Sequence, residues 1–483
     1  MTEQEYRATI GLEIHAQLLT KSKLFCFCST RFGDPPNTHT CPVCLGFPGS
    51  LPALNHQALG YAIRAARALG CRVNGRSRFS RKNYFYPDLP KGYQISQYRL
   101  PLAVEGFIEI PVSGASKRVR IHRVHMEEDA GKLVHLAHEG TGTGTAVDLN
   151  RAGVPLIEIV SEPDINSPEE AQAYMSELRL VLLHLGVCAC NMEEGNLRCD
   201  ANVSIAPAGS KELGTRTEIK NLNSMRFLRQ ALEYEIERQE EILREGGKVV
   251  LDTLLFDPEK RETRSMRSKE EAHDYRYFPE PDLPPVEVDE VWLREIEENL
   301  PELPMKKRER FVRDFGIPAY DADVLTQEPE LAAFFEETAR LGGDPKAASN
   351  WLMTEALREV KESGVALRES KLTPALLAEL LKLVAGGAVS GKIAKEIFPE
   401  VFRAGTSPRA LVEKKGLGQI SDEGALRGVV EEVLKEHASV AEEVRGGKEK
   451  SFGFLMGQVM KKTRGRANPK SVQKIMREAI GKG

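Results

Sequence analysis

The sequence predicts an α+β protein. A largely antiparallel sheet is expected over roughly the first 290 residues, and an almost wholly helical remainder follows it. Three observations carry that expectation. Short apolar, strand-like runs bounded by Gly and Pro recur up to about residue 290, without the regular alternation with helices that a parallel sheet needs. Five of those runs hold acids or a histidine in their interior. After Pro281–Pro285 (PDLPP) the pattern turns to helical periodicity broken by single Gly and Pro positions.

The five runs are Ile10–His15 (IGLEIH), Val124–Asp129 (VHMEED), Val154–Val160 (VPLIEIV), Leu197–Val203 (LRCDANV) and Thr217–Lys220 (TEIK). An isolated carboxylate inside such a strand costs several kcal/mol unless something compensates it. Five together point to a shared compensator, and a divalent cation that takes hard oxygen ligands and arrives with a phosphate is the simplest. Five unrelated salt bridges, or acids facing solvent, are the alternative. Neighbouring residues on a strand face opposite sides, so only one of Glu127 and Glu128 can join a given site.

Taken in chain order, the first motif after Ile10–His15 is a cysteine group. Cys26-x-Cys28 and the knuckle-like Cys41-Pro42-Val43-Cys44 have the spacing of a four-thiolate structural zinc site. The Cys-x-Cys half requires a turn, because on a flat strand its sulfurs would point apart. Arg81–Tyr98 then interleaves cations, aromatics and amides. Such composition suits stacking on a nucleotide or RNA end, and equally a packed surface loop. Gly106–Pro111 and Lys117–His122 read as strands. Asp129–Lys132 (DAGK) is no P-loop, and neither a Rossmann fingerprint nor a Ser-His-Asp set is present. The stretch Gly140–Thr145 (GTGTGT) reads as a flexible loop. Ser167 is a good N-cap with Pro168 at the first helical position, and Gly186 ends that helix. A second helix is expected from about Ser224 to Arg244. Further on, helices are expected over Pro329–Leu341, Lys346–Val360, Pro374–Leu383 and Ile393–Phe398. A break near Gly405–Pro408 opens a terminal unit of roughly 75 residues.

Composition narrows the classes. The chain has 483 residues, 41% hydrophobic and 29% charged, which fits a soluble multidomain protein. No apolar run is long enough for a membrane span, and the first residues do not resemble a targeting peptide. A net charge of −4 confines any nucleic-acid contact to a local patch. One such patch lies from Arg445 to Gly483, with eleven Lys or Arg against two Glu. The eight cysteines are not spaced as a disulfide framework, so a reduced, cytoplasmic protein is expected.

Assembled, these segments resemble the GatB family, the B subunits of tRNA-dependent Asp/Glu amidotransferases. The resemblance is carried by IGLEIH (Ile10–His15), RKNYFYPD (Arg81–Asp88), HMEEDAGK (His125–Lys132) and NRAGVPLIEIVSEPD (Asn150–Asp164). It continues through MEEGNLRCDAN (Met192–Asn202), EIKNLNS (Glu218–Ser224), DYRYFPEPD (Asp274–Asp282) and SNWLM (Ser349–Met353). FGFLMGQVMK (Phe452–Lys461) with GRANP (Gly465–Pro469) is similar to a YqeY-type tail. The resemblance implies a cradle domain over residues 1–290 with a glutamine-synthetase-like core and a zinc-binding insertion at 26–44. It further implies a helical domain over 291–405 and a YqeY-like, tRNA-binding tail over 406–483. The implied activity is ATP-dependent amidation of Glu-tRNA(Gln), Asp-tRNA(Asn) or both. ATP and Mg2+ phosphorylate the side-chain carboxylate. Ammonia comes from glutamine through an amidase A subunit, which a small C subunit ties to this one in a heterotrimer. Metal ligands carry over to His15, Glu128 and Glu158, with Glu13, Asp200 and Glu218 as further members of the catalytic group. Lys82, Tyr84 and Tyr86, and in the tail Lys461, Lys462, Arg464 and Arg466, are the expected contacts to substrate and RNA. A non-catalytic tRNA scaffold and a ligase acting on a small molecule are the rival readings.

Overall fold

The computed structural model describes residues 5–112, 114–138, 142–266, 275–418, 423–463 and 465–481. It divides into two compact units, the first ending at Pro304 and the second beginning at Met305.

The first unit is built on a nine-stranded sheet. In chain order the strands are β1 (Tyr6–Gln17), β2 (Arg72–Val73), β3 (Arg76–Ser77), β4 (Ser80–Asn83), β5 (Tyr93–Ser96), β6 (Ala103–Val112), β7 (Ala115–Glu128) and β8 (Lys132–His138). They continue with β9 (Gly142–Asp148), β10 (Pro155–Ser161), β11 (Leu197–Pro207), β12 (Thr217–Lys220), β13 (Asp252–Asp257), β14 (Glu262–Ser265), β15 (Phe278–Pro279) and β16 (Val286–Glu287). The large sheet runs β14-β13-β12-β11-β1-β10-β7-β6-β2, and every pairing in it is antiparallel except β12 with β13. A small β15-β4-β5 sheet, a β8-β9 hairpin and a β16-β3 pair complete the set. Gly142–Thr145 is thus strand and not loop, because β9 finds a full antiparallel partner in β8; Gly140 and Thr141 lie outside the described residues.

Period-two patterning decides which face is which. Ile10, Leu12, Ile14 and Ala16 of β1 are fully buried, as are Val124 and Met126 of β7, Ile157 and Ile159 of β10, and Ala201 and Val203 of β11. They join one apolar cluster with α1 (His56–Ala68), α2 (Pro168–His184) and α3 (Met225–Arg244). Each fully buried Leu, Ile or Val contributes roughly 1.5–3 kcal/mol. The intervening residues, where the acids other than Glu128 fall, point to the other face. Helix α2 starts as its sequence demands: Ser167 Oγ accepts from Glu170 N at 3.2 Å, and Gly186 closes the end with φ +65°. Ser224 caps α3 in the same way, at 3.1 Å from Phe227 N. Helix α1 has no counterpart among the expected elements. Its signal was present in Ala58, Leu59, Ala62, Ile63 and Ala66, a buried stripe capped by Asn55.

After α4 (Glu290–Glu298), the second unit is helical: α5 (Pro304–Phe315), α6 (Ala319–Leu325), α7 (Pro329–Arg340), α8 (Pro345–Trp351), α9 (Leu357–Ser363), α10 (Pro374–Ala385), α11 (Gly391–Ala404), α12 (Pro408–Lys414), α13 (Glu423–Glu436), α14 (Ala438–Arg445), α15 (Glu449–Lys462) and α16 (Pro469–Gly481). The single helix expected over Lys346–Val360 carries a π turn at Leu352–Ala356. The helix expected to end at Phe398 continues through Pro399 to Ala404. Buried Val401 and Phe402 prolong its apolar face beyond the proline, and Gly405 (φ +68°) ends it. Two separate apolar clusters form here. One extends from Phe311 to Val412 and the other from Leu426 to Ile480, so α12 packs with the helices before it.

Candidate active site

Strand register gathers the acids. His15 on β1 stands opposite Glu158 on β10, Glu158 stands opposite His125 on β7, and Glu127 lies two residues further along the same face. His15 Nε2 is 3.4 Å from Glu127 Oε1 and 3.4 Å from Glu158 Oε2. His125 Nε2 is 3.3 Å from Glu158 and 3.8 Å from Glu127. Ligand atoms of His15, Glu127 and Glu158 all lie within 4.8 Å of one another, close enough to share one cation. Burial works against charging these groups, yet the two carboxylates raise the His15 imidazole to about 10. In return His125 and His15 hold Glu158 well below the usual carboxylate range, and Glu127 is lowered with it.

Glu128 is elsewhere. It opposes Pro155 and its side chain turns to the reverse of the strand, where Oε1 accepts from Ile95 N at 2.9 Å and from the Lys91 ammonium. The alternation of β7 therefore brings Glu127, not Glu128, to His15 and Glu158. His125 and Glu127 were the missed members. Their two-residue spacing, in phase with Glu158 across the sheet, was the signal.

A second acidic group adjoins the first on the same face. Glu13 opposes Asp200, and Asn202 opposes Glu218. Asn202 Nδ2 donates to Glu13 at 3.1 Å, and Lys220 Nζ bridges Asp200 (3.1 Å) and Glu218 (2.9 Å). Burial, then the charges of Glu158, Glu218 and Asp200, raise the Glu13 carboxyl. A cavity of about 260 Å³ opens beside Glu13, floored by Gly11 and Asn202 and flanked by Ser161 and Arg216. Asp129 is held by Arg198 at 2.9 Å and by Gln17 Nε2 at 2.8 Å. Sequence reasoning did not select this Asp129–Arg198 pair.

Lys82 on β4 reaches this face from the side. Its ammonium is 4.8 Å from the Tyr275 ring and 5.9 Å from the Tyr84 ring. Burial opposes its charge, but Glu127, Tyr277, Tyr275 and Glu158 raise its pKa. Burial pushes the Tyr84 phenol up to about 12. Arg81 fixes β4 to the segment after β15 through Glu280, at 2.7 and 2.9 Å. Tyr86 is half exposed in the loop that follows.

The four cysteines form a second centre. Sγ atoms of Cys26, Cys28, Cys41 and Cys44 lie within 4.8 Å of one another, and Cys41 and Cys44 are 3.9 Å apart. Four sulfurs at the Zn–S distance of about 2.3 Å stand about 3.8 Å apart in a tetrahedron, so the set fits zinc. Cys26 and Cys28 sit in irregular chain, which gives the turn their spacing requires.

Of the tail cations, Lys461 is exposed, while Lys462 is paired with Glu432 (3.0 Å) and Glu436 (2.7 Å). Arg466 donates to the carbonyls of Gly416 and Thr463. Arg464 lies outside the described residues. Among the described residues no helix is long and apolar enough to cross a membrane.

Residues 8–294 match the GatB/GatE catalytic domain, and residues 333–480 match the GatB domain. The chain is 55% identical over 472 residues to the B subunit of an aspartyl/glutamyl-tRNA(Asn/Gln) amidotransferase from Geotalea uraniireducens, covering 98% of each chain. It is 54% identical over 479 residues to the protein of the same name from Carboxydothermus hydrogenoformans, covering 99% of this chain and 100% of that one.

Proposed function

The chain belongs to the GatB family, and from that premise we propose that it activates the side-chain carboxylate of Glu on tRNA(Gln), Asp on tRNA(Asn), or both, for amidation. The carboxylate oxygen attacks the γ-phosphorus of ATP and ADP leaves. Ammonia then attacks the acyl carbon and phosphate leaves. The observation that carries this reading is the convergence of His15, Glu127 and Glu158 on one sheet face, beside Glu13, Asp200 and Glu218.

Those donors fit a hard divalent cation: two carboxylates offer oxygens and one imidazole completes the set. When bound there, Mg2+ would neutralise charge on the triphosphate and the acyl oxygens. The protein's share is positioning, which dominates phosphoryl transfer. Glu127 and Glu158 present oxygens from adjacent strands, and His125 and Ser96 keep their carboxylates aimed. Lys82, framed by Tyr84 and Tyr275 and coupled in charge to Glu127 and Glu158, would offer a cation to the phosphate or the carboxylate. Ammonia would arrive from an amidase A subunit joined to this one through a small C subunit, in the cytoplasm. The four cysteines would hold structural zinc, and the tail would contact the tRNA backbone, with Lys461 exposed beside the ion-paired Lys462.

The test is ATP hydrolysis by the reconstituted complex. Hydrolysis that requires Glu-tRNA(Gln) or Asp-tRNA(Asn) is the expected result. Hydrolysis indifferent to tRNA would favour a small-molecule ligase, and none at all would reduce the chain to a scaffold.

A further inference from the structure

Lys23 is completely buried. Its ammonium donates to the carbonyls of His39 at 2.7 Å and Leu149 at 3.3 Å, and stands 3.7 Å from Cys44 Sγ. No carboxylate is among these partners. Glu128, which lines the same cavity, is already engaged by Lys91 and Ile95 N. A buried ammonium facing two neutral carbonyls is costly unless a negative charge stands close by. Apart from Glu128, whose charge Lys91 already offsets, the neighbour that can supply one is Cys44, as a metal-bound thiolate. Four thiolates around a divalent ion leave two net negative charges, and nearby cations and hydrogen-bond donors commonly set such a centre's affinity.

The position of Lys23 matters as much as its charge. It joins the second half of the cysteine knuckle, at His39 and Cys44, to Leu149, shortly before β10. Beside it, Leu24 N donates to Gly153 O at 2.8 Å, and Gly153 N donates to Asp129 O at 2.8 Å. Gly153 has φ +88°, and a Cβ there would meet Lys23 Cδ at 3.4 Å, Cys44 Cβ at 3.5 Å and Glu128 Oε2 at 3.9 Å. The knuckle is thus pressed against the corner where β7 ends and β10 begins, next to Glu127 and Glu158.

We propose that Lys23 is the charge partner of a metal bound by Cys26, Cys28, Cys41 and Cys44, and that together they clamp the knuckle to the corner carrying the acidic site. This rests on the reading that the four cysteines hold zinc. Lys23→Met removes the charge and the donors; Lys23→Gln removes the charge but keeps a donor for the carbonyls, and serves if the Met variant does not fold. Zinc affinity of the full chain is measured by competition with a chromophoric chelator, and melting is followed in zinc-loaded and metal-free protein. Both variants should bind zinc about 10–100-fold more weakly, the usual cost of losing an outer-shell partner. Lys23→Met should melt below wild type when zinc is bound, but not below it when metal is absent. Wild-type zinc affinity in Lys23→Gln, or an equal melting loss with and without zinc, overturns the proposal. A wild-type chain that binds no zinc overturns the zinc reading beneath it.

Discussion

Replacing Glu127 with Gln, beside the same change at Glu128, separates the two adjacent acids that the sequence leaves ambiguous. Glu127 lies 3.4 Å from His15 and 3.8 Å from His125. Unit charges at those separations interact by about 4–5 kcal/mol at an effective dielectric of about 20. Glu158 still faces both imidazoles and the amide keeps the shape, so Glu127→Gln should fold. It nevertheless removes one of the three candidate ligand groups and a full negative charge from the face proposed to bind the cation. The expected fall in tRNA-dependent ATP hydrolysis is at least ~100-fold, the scale of one lost electrostatic element. Glu128→Gln does something different. It strands the buried Lys91 ammonium, and removing one partner of a buried pair costs about 3–5 kcal/mol. Its melting temperature should drop on the order of 10 °C, with turnover at permissive temperature falling less than in Glu127→Gln. The assays are ATP hydrolysis by the reconstituted complex with charged tRNA, and thermal melting of each variant. Normal turnover in Glu127→Gln, with a stable but inactive Glu128→Gln, would refute the assignment and return Glu128 to the metal.

Three further outcomes are expected. Elemental analysis should find about one zinc per chain, and stripping it should lower the melting temperature, since structural zinc contributes folding energy directly. Glu235, buried on α3, would be raised by burial, but Arg238, Gln239 and Thr263 hold its carboxyl below the usual range. Its folded pKa is therefore below its unfolded one, so its contribution is fully present above about pH 4.5 and is lost as pH falls through the folded value. The melting gap between wild type and Glu235→Gln should accordingly be widest near neutrality and close in acid. Truncation after Gly418 leaves Leu411 and Val412 in their cluster and removes the whole Leu426–Ile480 cluster. It should raise the KM for charged tRNA and flatten its salt dependence while sparing the partner's glutaminase; an unchanged KM at physiological salt would dismiss the tail as an RNA contact.

What the sequence reveals and what it hides divide along physical lines. The apolar, acid-bearing patterns of IGLEIH, VPLIEIV and LRCDANV are local, so they correctly announced strands; that most of their acids share one face came from the sheet. The capping residues Ser167 and Ser224 are equally local, and both helices begin where they stand. The choice between Glu127 and Glu128 is not local. It depends on β7 pairing with β10 so that His125, and not Met126, stands opposite Glu158. Alternation showed that one glutamate had to be excluded; register chose which. The same distinction governs the tail. A run of lysines and arginines looks like an open cationic face, but Lys462 is claimed by Glu432 and Glu436 on α13, and Arg466 by backbone carbonyls. Any RNA contact there draws on fewer free cations than the composition suggests.

An acidic face of this kind must also stay folded without a bound cation, and histidines do part of that work. Glu127 and Glu158 raise the His15 and His125 imidazoles against the burial that opposes their charge, while Lys220 pairs with Asp200 and Glu218. The histidines share one pair of carboxylates, so a divalent ion bound there would compete with them for the same oxygens. Glu13 differs: it accepts from the neutral amide of Asn202, and its carboxyl is raised by burial and by three neighbouring acids. Positive charge added near it would relieve that repulsion, and it borders the open cavity beside Gly11. A cation bound on this face would therefore lower the cost of burying these acids, in keeping with the chemistry we propose for them.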